Sequence, residues 1–114
     1  MGMATTKASA PKDAAASFQS FEEFYPAYLA AHRTAACRRM HLLGMAAAAS
    51  SLIAFFATGL WWTLALVPIL GYSLSWTGHF LFEGNQPALV HHPYYSFLGD
   101  FRMVYDTLRG RLPL

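Results

Sequence analysis

An uncharged stretch of 43 residues, positions 40–82, constrains this chain more than any other feature of its sequence. A single membrane-spanning helix needs about 20 predominantly apolar residues, so the stretch is long enough for two spans and too long for one. The whole chain has 114 residues, which is enough for one small domain. A buried pair of helices in a soluble protein is the alternative, but so short a chain has too little polar sequence to cover one. The sequence therefore predicts a membrane protein.

The rest of the chain divides around this stretch. Residues 1–16 are rich in Ala, Ser and Thr and have no apolar periodicity, which predicts a disordered tail. Residues 17–112 are predicted to form a single helical membrane domain, with spans at about 42–58 and 60–82 separated by Gly59. The predicted fold class is an all-α membrane protein in which a two-span transmembrane hairpin is flanked by two interfacial amphipathic helices.

The two flanking helices are predicted from apolar residues that recur at spacings of three and four. Ser20 and Glu23 form a capping-box pattern at the start of the first helix. Aromatic rings of this kind suit the membrane–water interface, although packing against a soluble partner is an alternative. The two apolar faces comprise Phe18, Phe21, Phe24, Tyr25, Tyr28 and Leu29, and then Phe97, Phe101, Val104, Tyr105 and Leu108.

Charge predicts the orientation and excludes one class of partner. All eight Lys and Arg residues lie outside the uncharged stretch, and the tip between the spans has none. By the positive-inside rule both termini face the cytoplasm, across the inner membrane if the protein is bacterial or the endoplasmic reticulum if it is eukaryotic. The net charge of +2 without a basic, aromatic-interleaved cluster predicts no nucleic-acid partner. Cys37 is interpreted as a small helical residue near the membrane surface. The sequence is also compatible with a homo-oligomer.

Histidines at both ends of the uncharged stretch predict a metal site. His79 and Glu83 are four residues apart, which places them on one face of a helix, one turn apart. His32 and His41 flank the other end, and a bend near positions 33–34 is needed to bring them together, because nine residues of unbroken helix would put them on opposite faces. Imidazoles with a carboxylate are typical ligands of non-haem iron. A His79–Glu83 hydrogen bond that only fixes helix packing is the alternative.

Four blocks of the sequence resemble a known family. FEEFYPAYLAAH, CRRMHLLG, GYSLSWTGHFLFEGNQPA and YSFLGDFRMVYDTL are similar to successive blocks of the 2-hydroxy fatty acid dioxygenases of phytosphingosine degradation to odd-numbered fatty acids. The resemblance covers about residues 18–110, and the chain looks like the short, mostly uncharacterised branch of that family. It implies an Fe(II)-dependent α-oxidation, in which a 2-hydroxy fatty acid and O₂ give an acid that is one carbon shorter.

The resemblance also implies roles for individual residues. The positions that match the family's ligand positions are His32, His41, His79, Glu83 and Asp100. His79 and Glu83 are in addition the expected catalytic residues. Arg39 and Asn85 are the expected substrate-binding residues, Arg39 because a guanidinium fork suits a carboxylate. A phospholipid headgroup is the alternative partner of Arg39.

Two other functions compete with the iron dioxygenase. One is a non-catalytic membrane scaffold or lipid-binding helical hairpin, in which the histidines serve packing alone. The other is a protein that binds haem or another transition metal. His91 and His92 lie in a proline-bearing segment and are expected to be solvated. The three functions differ in what the histidines do: they bind iron, they serve packing alone, or they bind haem or another transition metal.

Overall fold

A computed structural model describes residues 17–87 and 91–114 of the chain, and the predicted tail at 1–16 lies outside the described residues. The described secondary structure is entirely helical, in agreement with the predicted all-α class. It consists of α1 (Phe21–Ala30), α2 (Ala35–Thr58), α3 (Trp61–Thr77), a π-helical segment (Gly78–Glu83) that continues α3, and α4 (Pro93–Leu108).

Two of these helices are long and apolar enough to cross a membrane. They are Ala35–Thr58, with 24 residues, and Trp61–Glu83, with 23 residues. Only 17% and 11% of their most apolar windows are buried inside the protein, so most of this apolar surface faces outward. The first helix begins before the predicted span at 42–58, because the Thr34 hydroxyl accepts the Cys37 N–H at 3.1 Å and caps it.

Small residues let α2 and α3 approach closely. A Cβ atom added at Gly44 would lie 2.9 Å from the main-chain oxygen of Gly71, and one added at Gly78 would lie 3.2 Å from the main-chain oxygen of Cys37. In these contacts the early residues of α2 meet the late residues of the facing helix, so the two helices run antiparallel. Gly59 joins them in a left-handed conformation with φ 71°, which a glycine adopts without steric cost.

Helices α1 and α4 pack together around a small aromatic core. Its fully buried members are Phe24 and Tyr28 of α1 and Met103 of α4. Gly99 makes room for this contact, since an added Cβ atom would lie 2.8 Å from two ring carbons of Tyr28. At the start of α1 the Ser20 hydroxyl accepts the Glu23 N–H at 3.1 Å, as the capping pattern predicts.

A bend over residues 31–34 connects α1 to α2. The buried guanidinium of Arg38 pins it, because Nη1 donates to the main-chain oxygens of His32 at 3.0 Å and Arg33 at 2.8 Å. Nη2 of the same side chain donates to the main-chain oxygen of Pro113 at 3.0 Å. The helix break that the histidine spacing requires is therefore present, and side-chain hydrogen bonds fix it without glycine or proline.

Candidate metal centre

Three histidines from three different elements meet in the interior. His32 comes from the bend, His41 from the second turn of α2 and His79 from the π-helical segment. Their side chains are 1%, 2% and 2% exposed, and their ring centroids lie 4.4 to 4.9 Å apart. The Nε2 atoms of His32 and His41 are 3.1 Å apart. Residues that are widely separated in sequence are thus brought into one buried cluster.

Each of the three rings has a hydrogen-bond acceptor at Nδ1. His32 Nδ1 lies 2.6 Å from the main-chain oxygen of Tyr28, and His41 Nδ1 lies 2.9 Å from that of Cys37. His79 Nδ1 lies 2.8 Å from Oδ1 of Asn85. All three acceptors require a hydrogen on Nδ1, so the neutral rings carry their lone pairs on Nε2.

The side-chain amide of Asn85 is oriented by a second contact. Its Nδ2 donates to the main-chain oxygen of Ala31 at 3.1 Å, and this bond leaves Oδ1 facing His79. Gly84, in a left-handed conformation with φ 71°, turns the chain back so that the Gly84 and Asn85 N–H groups both bond the main-chain oxygen of His79. Asn85 therefore connects the π-helical segment with the bend that carries His32.

These contacts fit a divalent metal ion. Two Nε2 lone pairs that face each other at 3.1 Å cannot hydrogen-bond, and a shared cation removes their repulsion. With metal–nitrogen bonds of about 2.1 Å, two ligand nitrogens at a right angle lie about 3.0 Å apart. Burial, followed by the neighbouring His41 and His79 rings, lowers the pKa of His32 well below its ordinary value, so its imidazole is neutral at pH 7. Neutral imidazoles with Nδ1 tied to an acceptor are how histidines ligate metals.

Cys37 also belongs to the cluster. Its buried Sγ lies 3.8 Å from His41 Nδ1, and one ligand atom from each of Cys37, His32, His41 and His79 can be chosen so that all lie within 4.8 Å of one another. From its sequence context, Cys37 is expected only as a small helical residue near the membrane surface. The signal was present, because Cys37 and His41 are four residues apart and share one face of α2.

The two carboxylates predicted as ligands have different surroundings. Glu83 Oε2 accepts the main-chain N–H of Thr34 at 2.5 Å, which ties the end of the π-helical segment to the start of α2. Asp100 Oδ1 accepts the hydroxyl of Tyr28. Burial raises the pKa of the Asp100 carboxyl to about 6, although the hydrogen bond from Tyr28 opposes this.

A cavity of about 30 Å³ opens beside the histidines. This is room for one or two water-sized molecules and not for an acyl chain. Asp100 lines it and Glu83 does not. The cavity is lined by His32, His41, His79, Asp100, Tyr28, Tyr72, Ser75, Trp76, Pro87, Ser96 and Phe97.

The two predicted substrate-binding residues, Arg39 and Asn85, do not line the cavity. Arg39 is exposed, and its Nη2 donates to the main-chain oxygen of Leu114 at 3.0 Å. Asn85 contacts the cluster through His79, as described above. His91 is exposed, whereas His92 is half-buried and packs edge-on against the Phe18 ring with centroids 5.1 Å apart.

The fold and the cluster together define a class: an all-helical protein with two membrane-length apolar helices and a buried histidine–cysteine cluster that could hold a metal ion. A comparison with protein-family models gives the family within this class. Residues 18–112 match the model described as "2-hydroxy-palmitic acid dioxygenase Mpo1-like", and the chain belongs to this Mpo1-like family. The resemblance seen in the sequence is thereby confirmed over nearly the same residues. No curated protein and no solved structure matches the chain.

Proposed function

We propose that this protein is an Fe(II)-dependent dioxygenase that α-oxidises 2-hydroxy fatty acids at a membrane surface. The observation that carries the proposal is the convergence of three buried imidazoles whose Nδ1 atoms all have acceptors. The family description, which names a 2-hydroxy-palmitic acid dioxygenase, supplies the substrate class. The overall reaction is balanced: R–CH(OH)–COOH and O₂ give R–COOH, CO₂ and H₂O.

His32, His41 and His79 would hold the iron through Nε2, and the bound ion would supply the activation of O₂ and a contact for the substrate's oxygens. Asp100 is the carboxylate that we propose to complete the site, because it lines the same cavity. Glu83 is not a ligand in this proposal; its carboxylate holds the N-terminus of α2 by accepting the main-chain N–H of Thr34. This arrangement uses the two predicted carboxylates for different purposes.

The protein's own residues would do three things for the reaction. The acceptors at Nδ1 fix the orientation of each ring and keep its lone pair directed at the ion. The cavity has room for one or two water-sized molecules, so little water would surround the bound ion. In this proposal Asn85 orients His79 and does not contact the substrate. Arg39 would give up its hydrogen bond to Leu114 and bind the carboxylate of the substrate.

The proposed membrane arrangement puts the histidine cluster at the cytoplasmic surface. We propose that α2 and α3 form a transmembrane hairpin with both chain termini in the cytoplasm, and that α1 and α4 lie in the interface. Phe97, Phe101 and Tyr105 on the outer face of α4 are 54%, 53% and 54% exposed, which suits contact with lipid. His41 and His79 lie at the ends of the hairpin remote from Gly59, so the head of a membrane lipid reaches them from the cytoplasmic side.

Metal analysis of detergent-purified protein tests the proposal. After anaerobic reconstitution with Fe(II), we expect near-stoichiometric iron in the wild type and in His91→Ala, whose histidine is exposed, and loss of iron in His79→Ala. The iron-loaded wild type should then convert a 2-hydroxy fatty acid to the acid one carbon shorter, with uptake of O₂. A wild type that binds no iron would favour the non-catalytic scaffold.

A further inference from the structure

Two tyrosine rings lead from the histidine cluster toward the protein surface. The Tyr28 ring stacks on the His32 ring with centroids 4.0 Å apart and an interplanar angle of 21°. The Tyr25 ring lies next in line, 5.9 Å from Tyr28 and at 19° to it. Tyr28 is 1% exposed and Tyr25 is half-buried, so the row begins in the interior and ends near solvent.

Each phenol in this row donates its hydrogen to a carboxylate of α4. The Tyr28 hydroxyl donates to Asp100, and the Tyr25 hydroxyl donates to Asp106 at 2.8 Å. A phenol loses an electron far more readily when its proton can leave at the same time, and a hydrogen-bonded carboxylate accepts that proton. Packing alone does not need this arrangement, because Phe rings would fill the same space.

We propose that Tyr28 and Tyr25 form an electron relay that carries oxidising equivalents out of the metal cavity and so protects the histidines. This proposal rests on the proposed function, since iron held by the three histidines would supply one-electron oxidants derived from O₂ when substrate is absent. Cavity residues such as His41 and Trp76 would otherwise be oxidised by them.

The electrons and protons balance at each step of the relay. Tyr28 gives one electron to the oxidant in the cavity and its phenolic proton to Asp100. Tyr25 then gives one electron to the Tyr28 radical, which recovers its proton from Asp100, while the Tyr25 proton passes to Asp106. A small reductant of the thiol or ascorbate class finally gives one electron to Tyr25 from solvent, and Asp106 returns the proton.

The surface end of the row is suited to that last step. The Arg102 guanidinium lies 5.1 Å from the centroid of the Tyr25 ring and 3.2 Å from Asp106, and its side chain is 44% exposed. A cation at this position attracts anionic reductants such as ascorbate. Tyr72 also lines the cavity, but its hydroxyl makes no hydrogen bond to a carboxylate within residues 17–87 and 91–114.

The test uses the full-length, Fe(II)-loaded protein in detergent, mixed with hydrogen peroxide in the absence of fatty acid and frozen within milliseconds. Electron paramagnetic resonance should show a tyrosyl radical, identified by its change in protein made with ring-deuterated tyrosine. Tyr28→Phe keeps the ring and should abolish the signal at unchanged iron content. Tyr25→Phe should prolong it. Tyr105→Phe, which removes a 54% exposed tyrosine on the outer face of α4, should leave it as in the wild type.

A second readout follows damage to the cavity. After repeated exposure to peroxide, peptide mass spectrometry should find oxidised histidine and Trp76 several-fold more abundant in Tyr28→Phe than in the wild type or Tyr105→Phe. A radical on Tyr72 or Trp76 in the wild type, or equal damage in all three proteins, would overturn the relay. If the protein binds iron and turns over 2-hydroxy fatty acid but forms no such radical, only the relay fails; if it binds no iron, the proposed function fails with it.

Discussion

The Nε2 atoms of His32 and His41 lie 3.1 Å apart, and each ring bonds through Nδ1 to the main-chain oxygen of the residue four positions earlier. The orientation of both rings is therefore fixed by main-chain oxygens one helical turn earlier. His79 differs, because its Nδ1 partner is a side chain, Asn85. The third imidazole is the one whose tautomer a single substitution can change.

Asn85→Leu should lower the metal affinity of the protein by about 10- to 100-fold, the range seen when the acceptor behind a ligating histidine is removed. Asn85→Asp keeps an acceptor for His79 but loses the hydrogen bond to Ala31, so its affinity should lie between those of Asn85→Leu and the wild type. Competition with a chelator of known affinity measures both. Gln86→Leu, at an exposed position in the same turn, is the control and should bind as the wild type does. Equal affinity of Asn85→Leu and wild type would contradict this role.

Glu83→Ala should destabilise the protein without removing the metal. The lost hydrogen bond between its carboxylate and the Thr34 N–H is expected to cost about 1.5–3 kcal/mol. Glu83→Gln keeps an acceptor oxygen and should lie between Glu83→Ala and wild type. Thermal unfolding and metal content should be measured on the same samples. If Glu83→Ala loses its metal as completely as His79→Ala does while remaining folded, Glu83 is a ligand after all.

Gly44→Ala should destabilise the contact between α2 and α3, because the new methyl would lie 2.9 Å from the main-chain oxygen of Gly71 and 3.3 Å from Leu74 Cβ. Overpacking of this kind costs about 1–3 kcal/mol. Gly71→Ala is the matched control on the facing helix, since its nearest contacts would be ordinary ones at 3.7 and 3.9 Å. Circular dichroism during thermal unfolding in detergent measures both. An equal loss in the two variants would show that close approach at Gly44 is unimportant.

Asp106 should make stability depend on pH in the acid range. Burial raises the pKa of its carboxyl, but hydrogen bonds from Tyr25 and Arg102 and the Arg102 charge outweigh this and lower the pKa below its ordinary value. A carboxyl whose pKa is lower in the folded state adds stability above its unfolded pKa of about 3.9, and that stability is lost as the pH falls through the folded value. The difference in melting temperature between wild type and Asp106→Asn should therefore be larger at pH 7 than at pH 3. A difference that grows toward pH 3 would contradict the assignment.

Much of the fold could be predicted because its signals are local. The uncharged stretch predicts two long apolar helices, and the small residues Gly44, Gly71 and Gly78 indicate where such helices approach. The bend between His32 and His41 could be inferred only from the need to bring the two rings together. Its cause is Arg38, whose bonds to three main-chain oxygens depend on the folded chain.

The details of the site depend on contacts that sequence spacing does not encode. Residues 79 and 83 were expected on a regular α-helix, but they lie in a π-helical segment, and no residue type marks such a segment. In this segment the Glu83 carboxylate accepts the main-chain N–H of Thr34. The resemblance implied that Asn85 binds substrate; its contact with His79 arises from the left-handed turn at Gly84.

The histidine cluster also has a mechanical consequence. His32 belongs to the part of the chain that packs as α1 and α4, whereas His41 and His79 belong to the apolar helix pair. An ion held by all three would cross-link the two helix pairs, and its binding energy would be spent on keeping them docked. Chelation should then weaken the docking of α1 and α4 on the α2–α3 pair without abolishing it, because the hydrogen bonds of Arg38, Glu83 and Asn85 to the bend remain.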